Sequence, residues 1–309
     1  MSGPSHRFEK SLAKDTGYIL DGLLGNGSFS TGVHKANVKV AFKQKLRRKM
    51  SNEKLDITSK KKETHSIAIK VCALKHTHIL EHEHLLLTQL EHANVVKAIG
   101  TTRRIGDYGI MMMELVEGID LYSALDAFFQ NKSHVPPLRT VRHIAKSILL
   151  GLEYLQQQEV VHNDIKPENI LIGAKTIEAI GRSTSIKLCD FGFAVKENES
   201  YSACGSPDWC SPEKIFRGVE IFSYASDIFS FGFVMYAVCT GYMAIKLGKS
   251  LTKRAYERLW VAFSDRVRLA EHGFFADYED SKDIVLSTTP VDPAKRITAS
   301  QALQLRFFA

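Results

Sequence analysis

Apolar residues from Tyr18 to about residue 116 come in short runs bounded by glycine and polar residues, at positions 17–24, 32–40, 66–74 and 109–116. Runs of this length, rich in Val, Ile and Met, predict strands. One helix interrupts them, around residues 76–90. After Gly118 the period changes. Val141, Ile144, Ala145, Ile148, Leu149, Leu152 and Leu155 recur at three- and four-residue steps, the stripe of a long amphipathic helix. Short strand-like pieces follow near residues 159–161, 170–172 and 186–189, then helical patterns run to the end. The pattern predicts an α+β chain: a small β-rich part, residues 18–116, then a larger α-rich part, residues 117–309. Residues 1–17 read as a polar N-terminal tail. Residues 41–64 lack periodicity and are long for a loop inside a compact unit, so they read as an insertion.

Charge sharpens this division. The chain has 309 residues and a net charge of +7. Residues 43–62 hold nine Lys and Arg against Glu53 and Asp56, which accounts for the whole excess. The basic character is therefore local and gives no support for a nucleic-acid-binding core. The run Lys43-Gln44-Lys45-Leu46-Arg47-Arg48-Lys49 reads as a solvated loop, with a nuclear address or an anionic-surface contact as the alternatives. Five scattered cysteines without a C-x-x-C pair suggest neither a disulfide framework nor a zinc site. The first residues lack the apolar core of a secretory signal, and Ser2 replaces the glycine that myristoylation needs. Ile228 to Ile245 is an uncharged run of 18 residues. Ser, Gly and Thr interrupt it, so it reads as a buried core helix rather than a membrane span. A reducing, aqueous compartment follows, the cytoplasm or the nucleus.

Four segments carry chemistry. Gly25-Asn26-Gly27-Ser28-Phe29-Ser30-Thr31-Gly32-Val33 lies between two predicted strands, where glycines let backbone N–H groups approach phosphate oxygens. It does not open a helix, which argues against a dinucleotide fold. Ala68-Ile69-Lys70 puts a lysine in an apolar strand, and Glu83 on the following helix is placed to pair with it. His162-Asn163-Asp164-Ile165-Lys166-Pro167-Glu168-Asn169-Ile170-Leu171 fixes an acid, an amine and an amide in one loop between helix and strand. Asp190-Phe191-Gly192 ends another short strand.

In this order and context the four segments resemble the eukaryotic protein kinases of the Ser/Thr type, from about Tyr18 to Phe308. Met113 to Gly118 resembles the hinge, Ser211-Pro212-Glu213 stands where the family has A-P-E, and Arg296 is expected to pair with Glu213. The resemblance implies a bilobal protein-kinase fold, with a β-rich N-lobe carrying one main helix and an α-rich C-lobe. It implies ATP and Mg²⁺ as cofactors, protein substrates and a monomer, with no membrane partner. By resemblance, Lys70 holds the α- and β-phosphates and Glu83 holds Lys70. Asp190 and Asn169 bind metal, and Lys166 meets the transferring phosphoryl group. Asp164 accepts the substrate hydroxyl proton; as a weak base near neutrality its main work is aligning that hydroxyl. Ser206 takes the place of a threonine that bonds the catalytic Asp and Lys, which with Lys166 favours Ser/Thr acceptors. Leu24, Gly25, Gly27, Gly32, Val33 and Ala68 would cover the nucleotide, Leu171 would lie beneath the adenine and Met113 behind it. Backbone groups of Glu114 and Val116 would read its edge, and Asp120 would bond the ribose. Leu87, Phe191 and His162, anchored by Asp227, would form an apolar spine. Glu168 suggests basic residues in the substrate, although Ala237 lacks a second acid.

Three departures qualify the resemblance. Ser30 follows Phe29 where the third glycine usually sits, consistent with a one-residue insertion. Lys70 to Glu83 is a short spacing, which leaves Glu81 as a second candidate partner. Asn163 replaces the arginine that in many kinases pairs with an activation phosphate, so activity is expected not to depend on phosphorylation of Ser200, Tyr201 or Ser202. The alternatives are a pseudokinase scaffold and an adaptor that docks through the basic insertion. His76, His78, His82, His84 and His92 crowd the first helix, where surface histidines are favoured over a metal site because no H-E-x-x-H order is present. Gly17-Tyr18 and the Leu-Gly-x-Gly-Ser start are similar to those of testis-specific serine kinases, and the subfamily is left unassigned.

Overall fold

A computed structural model describes residues 6–25, 30–38, 66–131, 135–196, 205–217, 223–245, 252–269 and 273–309. The insertion at 41–64, the loop residue Gly27 and Ser200, Tyr201 and Ser202 lie outside the described residues. The chain divides into two units, Met1–Gln89 with Lys97–Leu115, and Leu90–Val96 with Val116–Ala309.

The first unit is built on a five-stranded antiparallel sheet of order β1-β2-β3-β5-β4. Its strands are β1 (Tyr18–Gly25), β2 (Gly32–Val38), β3 (Ser66–Ala73), β4 (Ala98–Ile105) and β5 (Tyr108–Glu114). Residues 6–16 correct the expectation of a polar tail, because they form helix α1 (His6–Thr16). Phe8 and Leu12, one turn apart, enter the same core as Ile67, Ile69, Val71, Ile110 and Met112. The Phe8 ring meets the Tyr108 ring edge-on at 4.8 Å. Thr16 Oγ1 donates back to the Leu12 carbonyl and accepts from the Tyr18 N–H, which joins the helix end to β1.

Successive side chains of a strand point to opposite faces. With Ile67, Ile69 and Val71 turned to the core shared with α1, Ala68, Lys70 and Cys72 occupy the other face of β3. Both faces are covered, and six consecutive residues of β3 are buried. The helix expected near 76–90 is α2 (Thr77–Leu87), with Leu80, Glu83, His84 and Leu87 among its buried residues.

The second unit is mainly helical. The predicted stripe forms α4 (Leu138–Gln157), preceded by α3 (Leu121–Asn131), and Val141, Ile144, Ala145, Ile148, Leu149, Leu152 and Leu155 are all buried. The uncharged run belongs to α6 (Tyr224–Thr240), which packs against α4 and against α9 (Ser281–Thr288). Every residue from Ser226 to Thr240 is buried, so this is a core helix. Among the described residues no helix is long and apolar enough to cross a membrane. The short strand β6 (Ile119–Asp120), just before α3, forms one sheet with β8 (Ile170–Ile172) and β9 (Ile186–Leu188), which lie between α4 and α6, as do β7 (Val160–Val161) and its partner β10 (Val195–Lys196). Helix α5 (Pro212–Arg217) follows, and α7 (Lys253–Arg268) and α8 (Gly273–Asp277) lie between α6 and α9. Cys72, Cys189 and Cys239 are free thiols, whereas Cys210 is disulfide-bonded, a bond that cysteine spacing did not suggest.

Candidate active site

In the first unit, antiparallel pairing sets Val33 opposite Lys70 and Ala68 opposite Met113. Ala68 and Met113 are both buried. The Thr31 N–H donates to the Val71 carbonyl at 2.7 Å, fixing where the chain enters β2. Gly32 has φ +151°, and a Cβ there would sit 2.9 Å from His34 Nε2, so a side chain meets both strain and crowding. Gly25 ends β1, and Leu24 beside it is exposed. The Lys70 ammonium donates to Glu83 Oε2 at 2.6 Å, with both side chains nearly inaccessible. Glu83, not Glu81, is therefore the partner. In a pair this dry, each charge offsets part of the other's cost of leaving water. Glu114 works through its side chain as well as its backbone: its carboxylate accepts from the Lys97 N–H at 2.7 Å, and its own N–H donates to the Lys97 carbonyl at 2.9 Å.

In the second unit the catalytic segment hangs from Asp227 at the start of α6. The His162 N–H donates to Asp227 Oδ2 at 2.7 Å and the Asn163 N–H to Oδ1 at 2.9 Å. Asn163 has φ +67° and Asp190 φ +61°. Asn and Asp tolerate this left-handed region better than other side chains, at a cost of order 1 kcal/mol or more. The His162 and Phe191 rings lie 4.6 Å apart and are wholly buried. Burial pushes the His162 imidazole below its ordinary pKa, against the opposing charges of Asp227 and Asp164.

Three polar residues, Lys166, Asn169 and Ser206, converge on Asp164. Lys166 Nζ lies 2.8 Å from Asp164 Oδ2 and donates to Ser206 Oγ at 2.7 Å. The Ser206 N–H donates to Asp164 Oδ1 at 2.8 Å. Asn169 Nδ2 donates to both the carbonyl and Oδ2 of Asp164, at 2.8 Å each. The amide nitrogen of Asn169 is thereby committed, which leaves its carbonyl oxygen as the atom for a cation. The Cys189 N–H donates to the Asn169 carbonyl, and His162 Nε2 bonds the Cys189 carbonyl. Asp190 is thus presented from a backbone pinned on the same loop as Asn169. A carboxylate and an amide oxygen are hard donors that suit Mg²⁺, which keeps water and phosphate as its other ligands. Among the described residues no cluster of three or more His, Cys, Asp or Glu forms a further metal site.

The remaining expected positions are also placed. Asp120 pairs with Leu171 across β6 and β8. Its carboxylate accepts from the Ser123 N–H at 2.8 Å and the Ser123 hydroxyl at 2.7 Å, so it caps α3. Val116 is half-buried at the start of this unit. Arg296 forms a buried two-pronged bridge to Glu213, both bonds at 2.7 Å, with its guanidinium 4.8 Å from the centre of the Phe229 ring. Burial pushes the Glu213 carboxyl up, but the Arg296 bonds and charge outweigh it and hold the group below its ordinary range.

Two residues of this site escaped the sequence reading. A Cβ on Gly205 would lie 2.7 Å from the Asn163 carbonyl and 2.8 Å from Asp164 Cγ, so only glycine fits before Ser206. Lys214, on α5, is buried and donates from Nζ to Asn163 Oδ1 at 2.6 Å. Burial pushes its ammonium down from the usual range, against the charges of Asp227, Glu213 and Asp164. Its one sequence signal is a lysine directly after Ser211-Pro212-Glu213, at the start of a short buried helix.

Each unit carries groups that phosphoryl transfer uses: the first a lysine–glutamate pair anchored on a strand and a helix, the second an Asp–Lys–Asn loop and a further aspartate, Asp190. Comparison with known families agrees. The protein kinase domain matches residues 18–308, and the chain belongs to that family. A probable serine/threonine-protein kinase of Dictyostelium discoideum is 32% identical over 203 residues, which cover 64% of this chain and 40% of the relative. Mouse ribosomal protein S6 kinase alpha-1 is 28% identical over 306 residues, 96% of this chain and 36% of that protein. Yeast cAMP-dependent protein kinase type 3 is 29% identical over 192 residues, 62% of this chain and 43% of that protein. The chain therefore spans less than half the length of these relatives.

Proposed function

We propose that this chain is an active protein kinase that transfers the γ-phosphoryl group of ATP to serine and threonine hydroxyls of proteins. The observation that carries the reading is the contact set around Asp164, in which Lys166 is held between Asp164 and Ser206 while Asn169 fixes the Asp164 carboxylate. Phosphoryl transfer runs through a loose transition state with charge on the γ-phosphoryl oxygens, so positioning and neutralisation supply most of the acceleration. The substrate hydroxyl oxygen forms the new P–O bond, the bond to the β-phosphate oxygen breaks, and ADP leaves. The hydroxyl proton passes to the Asp164 carboxylate, which first orients that hydroxyl. Lys166 offsets charge on the transferring group, and Lys70, held by Glu83, offsets charge on the α- and β-phosphates. Asp190 and the side-chain oxygen Oδ1 of Asn169 would hold Mg²⁺, which when bound neutralises phosphate charge.

The pseudokinase reading loses its ground, because the lysine, both aspartates and the asparagine are all present with their partners. Glu168 is exposed on the loop, and the carboxylates of Asp164 and Asp120 act on it electrostatically. An exposed carboxylate at Glu168 supports protein substrates with basic residues near the acceptor. The test is a degenerate peptide array with labelled ATP and Mg²⁺, comparing the chain with Asp190→Asn. Labelling on Ser and Thr that the variant loses supports the reading. Labelling that survives in the variant refutes it.

A further inference from the structure

Asn163 engages its backbone N–H and both polar atoms of its side chain. Its N–H goes to Asp227, its Nδ2 donates to the Phe193 carbonyl at 3.1 Å, and its Oδ1 accepts from Lys214 at 2.6 Å. One side chain thus joins the catalytic loop to the segment just past Asp190-Phe191-Gly192 and to α5. The position is the one where many kinases carry an arginine that needs an activation phosphate to order it. Here an arginine would bring a second cation against the Lys214 ammonium in a dry site, where unpaired charge is strongly disfavoured. The neutral Asn163 amide accepts from Lys214 without adding a cation to this site. The ammonium comes from within the fold, among the carboxylates of Asp227, Glu213 and Asp164, so the connection is complete without any added group.

We infer that Lys214 is a positioning residue for phosphoryl transfer, acting through Asn163 as a built-in latch that holds the catalytic loop in register without a phosphate on the chain. Lys214 touches no reacting atom in this account; it sets the neighbour of Asp164. The inference rests on the kinase reading above and adds the source of loop order.

The experiment compares kcat, ATP KM and melting temperature for the full chain and its Lys214→Met, Lys214→Arg, Asn163→Gly and Lys214→Met/Asn163→Gly forms. Asn163→Gly keeps the left-handed backbone while removing the amide. The expected result is a loss of at least ~tenfold in kcat for Lys214→Met and for Asn163→Gly, with ATP KM within about threefold. The double variant is expected to be no slower than the worse single one, since both cut the same connection. Lys214→Arg should recover part of the rate, and a Ser200→Ala/Tyr201→Phe/Ser202→Ala form should keep it. A folded Lys214→Met with at least half the normal kcat overturns the inference, as do additive single effects or a triple variant that loses ~tenfold. Should Lys214→Met fail to fold, Asn163→Gly decides: a lowered kcat supports the latch and an unchanged one overturns it. No transfer by the unmodified chain overturns the kinase reading and the latch together, whereas full activity in Lys214→Met overturns the latch only.

Discussion

Replacing Gly205 by alanine adds one methyl group at the tightest point of the site. The new carbon would lie 2.7 Å from the Asn163 carbonyl oxygen and 2.8 Å from Asp164 Cγ. Relaxed carbon contacts lie at about 3.5–4.0 Å, so the two strands of chain must part by on the order of 1 Å. Neither side yields freely. Asp164 is bound by Ser206, Lys166 and Asn169, and the backbone before it by Asp227. The displacement therefore falls on the carboxylate that orients the acceptor and on the Ser206 N–H bond that holds it. Misplacement of about 1 Å at a reacting group costs on the order of 10²-fold in rate, about 2.7 kcal/mol in barrier. Gly205→Ala should lower kcat on a serine peptide by that factor while nucleotide affinity and melting temperature change little. A variant that keeps kcat within about threefold would show that the Asp164 geometry does not limit transfer.

Other substitutions test other parts of the fold. Glu83→Gln leaves Lys70 without its buried counter-charge and should cut kcat/KM for ATP by at least ~tenfold, whereas Glu81→Gln, on the exposed face of α2, should not; equal effects in a steady-state ATP titration would contradict the pairing. Leu12→Ala removes a fully buried side chain of α1 from the sheet core and should destabilise the chain by about 2–5 kcal/mol; urea unfolding that shows under 0.5 kcal/mol would return residues 6–16 to the status of a tail. Arg296→Met breaks the buried bridge to Glu213 and should cost about 3–5 kcal/mol at neutral pH. Because Glu213 titrates below its unfolded value, the bridge's contribution is complete above about pH 4.5 and fades as pH falls through the folded value. The stability gap between Arg296→Met and the unmodified chain should shrink on acidification, and denaturant titrations showing a widening gap would exclude this linkage.

Much of the site was legible because its residues sit in elements with strong patterns. Lys70 lies in a strand whose apolar run is unmistakable, the Asp164 loop sits between a long amphipathic helix and a short strand, and Asp227 heads an uncharged run whose helical part, to Thr240, is buried. The family resemblance also paired Arg296 with Glu213, 83 residues apart. What stayed hidden depends on packing rather than pattern. Phe8 and Leu12 are two apolar residues in an otherwise polar stretch, too few to mark a core helix until a sheet face is available to cover. Gly205 looks like any turn glycine, since its requirement comes from Asp164, 41 residues away. Lys214 reads as a surface cation, because nothing in a buried lysine's sequence context names an asparagine 51 residues earlier as its acceptor.

The central claim is that the Asp164, Lys166, Asn169 and Ser206 contacts form working phosphoryl-transfer machinery. Its most direct test is single-turnover transfer from ATP with Mg²⁺ to a serine acceptor peptide, comparing the chain with Asp164→Asn under conditions where both are saturated with nucleotide. The account predicts phosphoserine formation that falls by about 10²–10⁴-fold in the variant, with nucleotide still bound. Equal rates in the two proteins, or no phosphoserine from the unmodified chain, would contradict it.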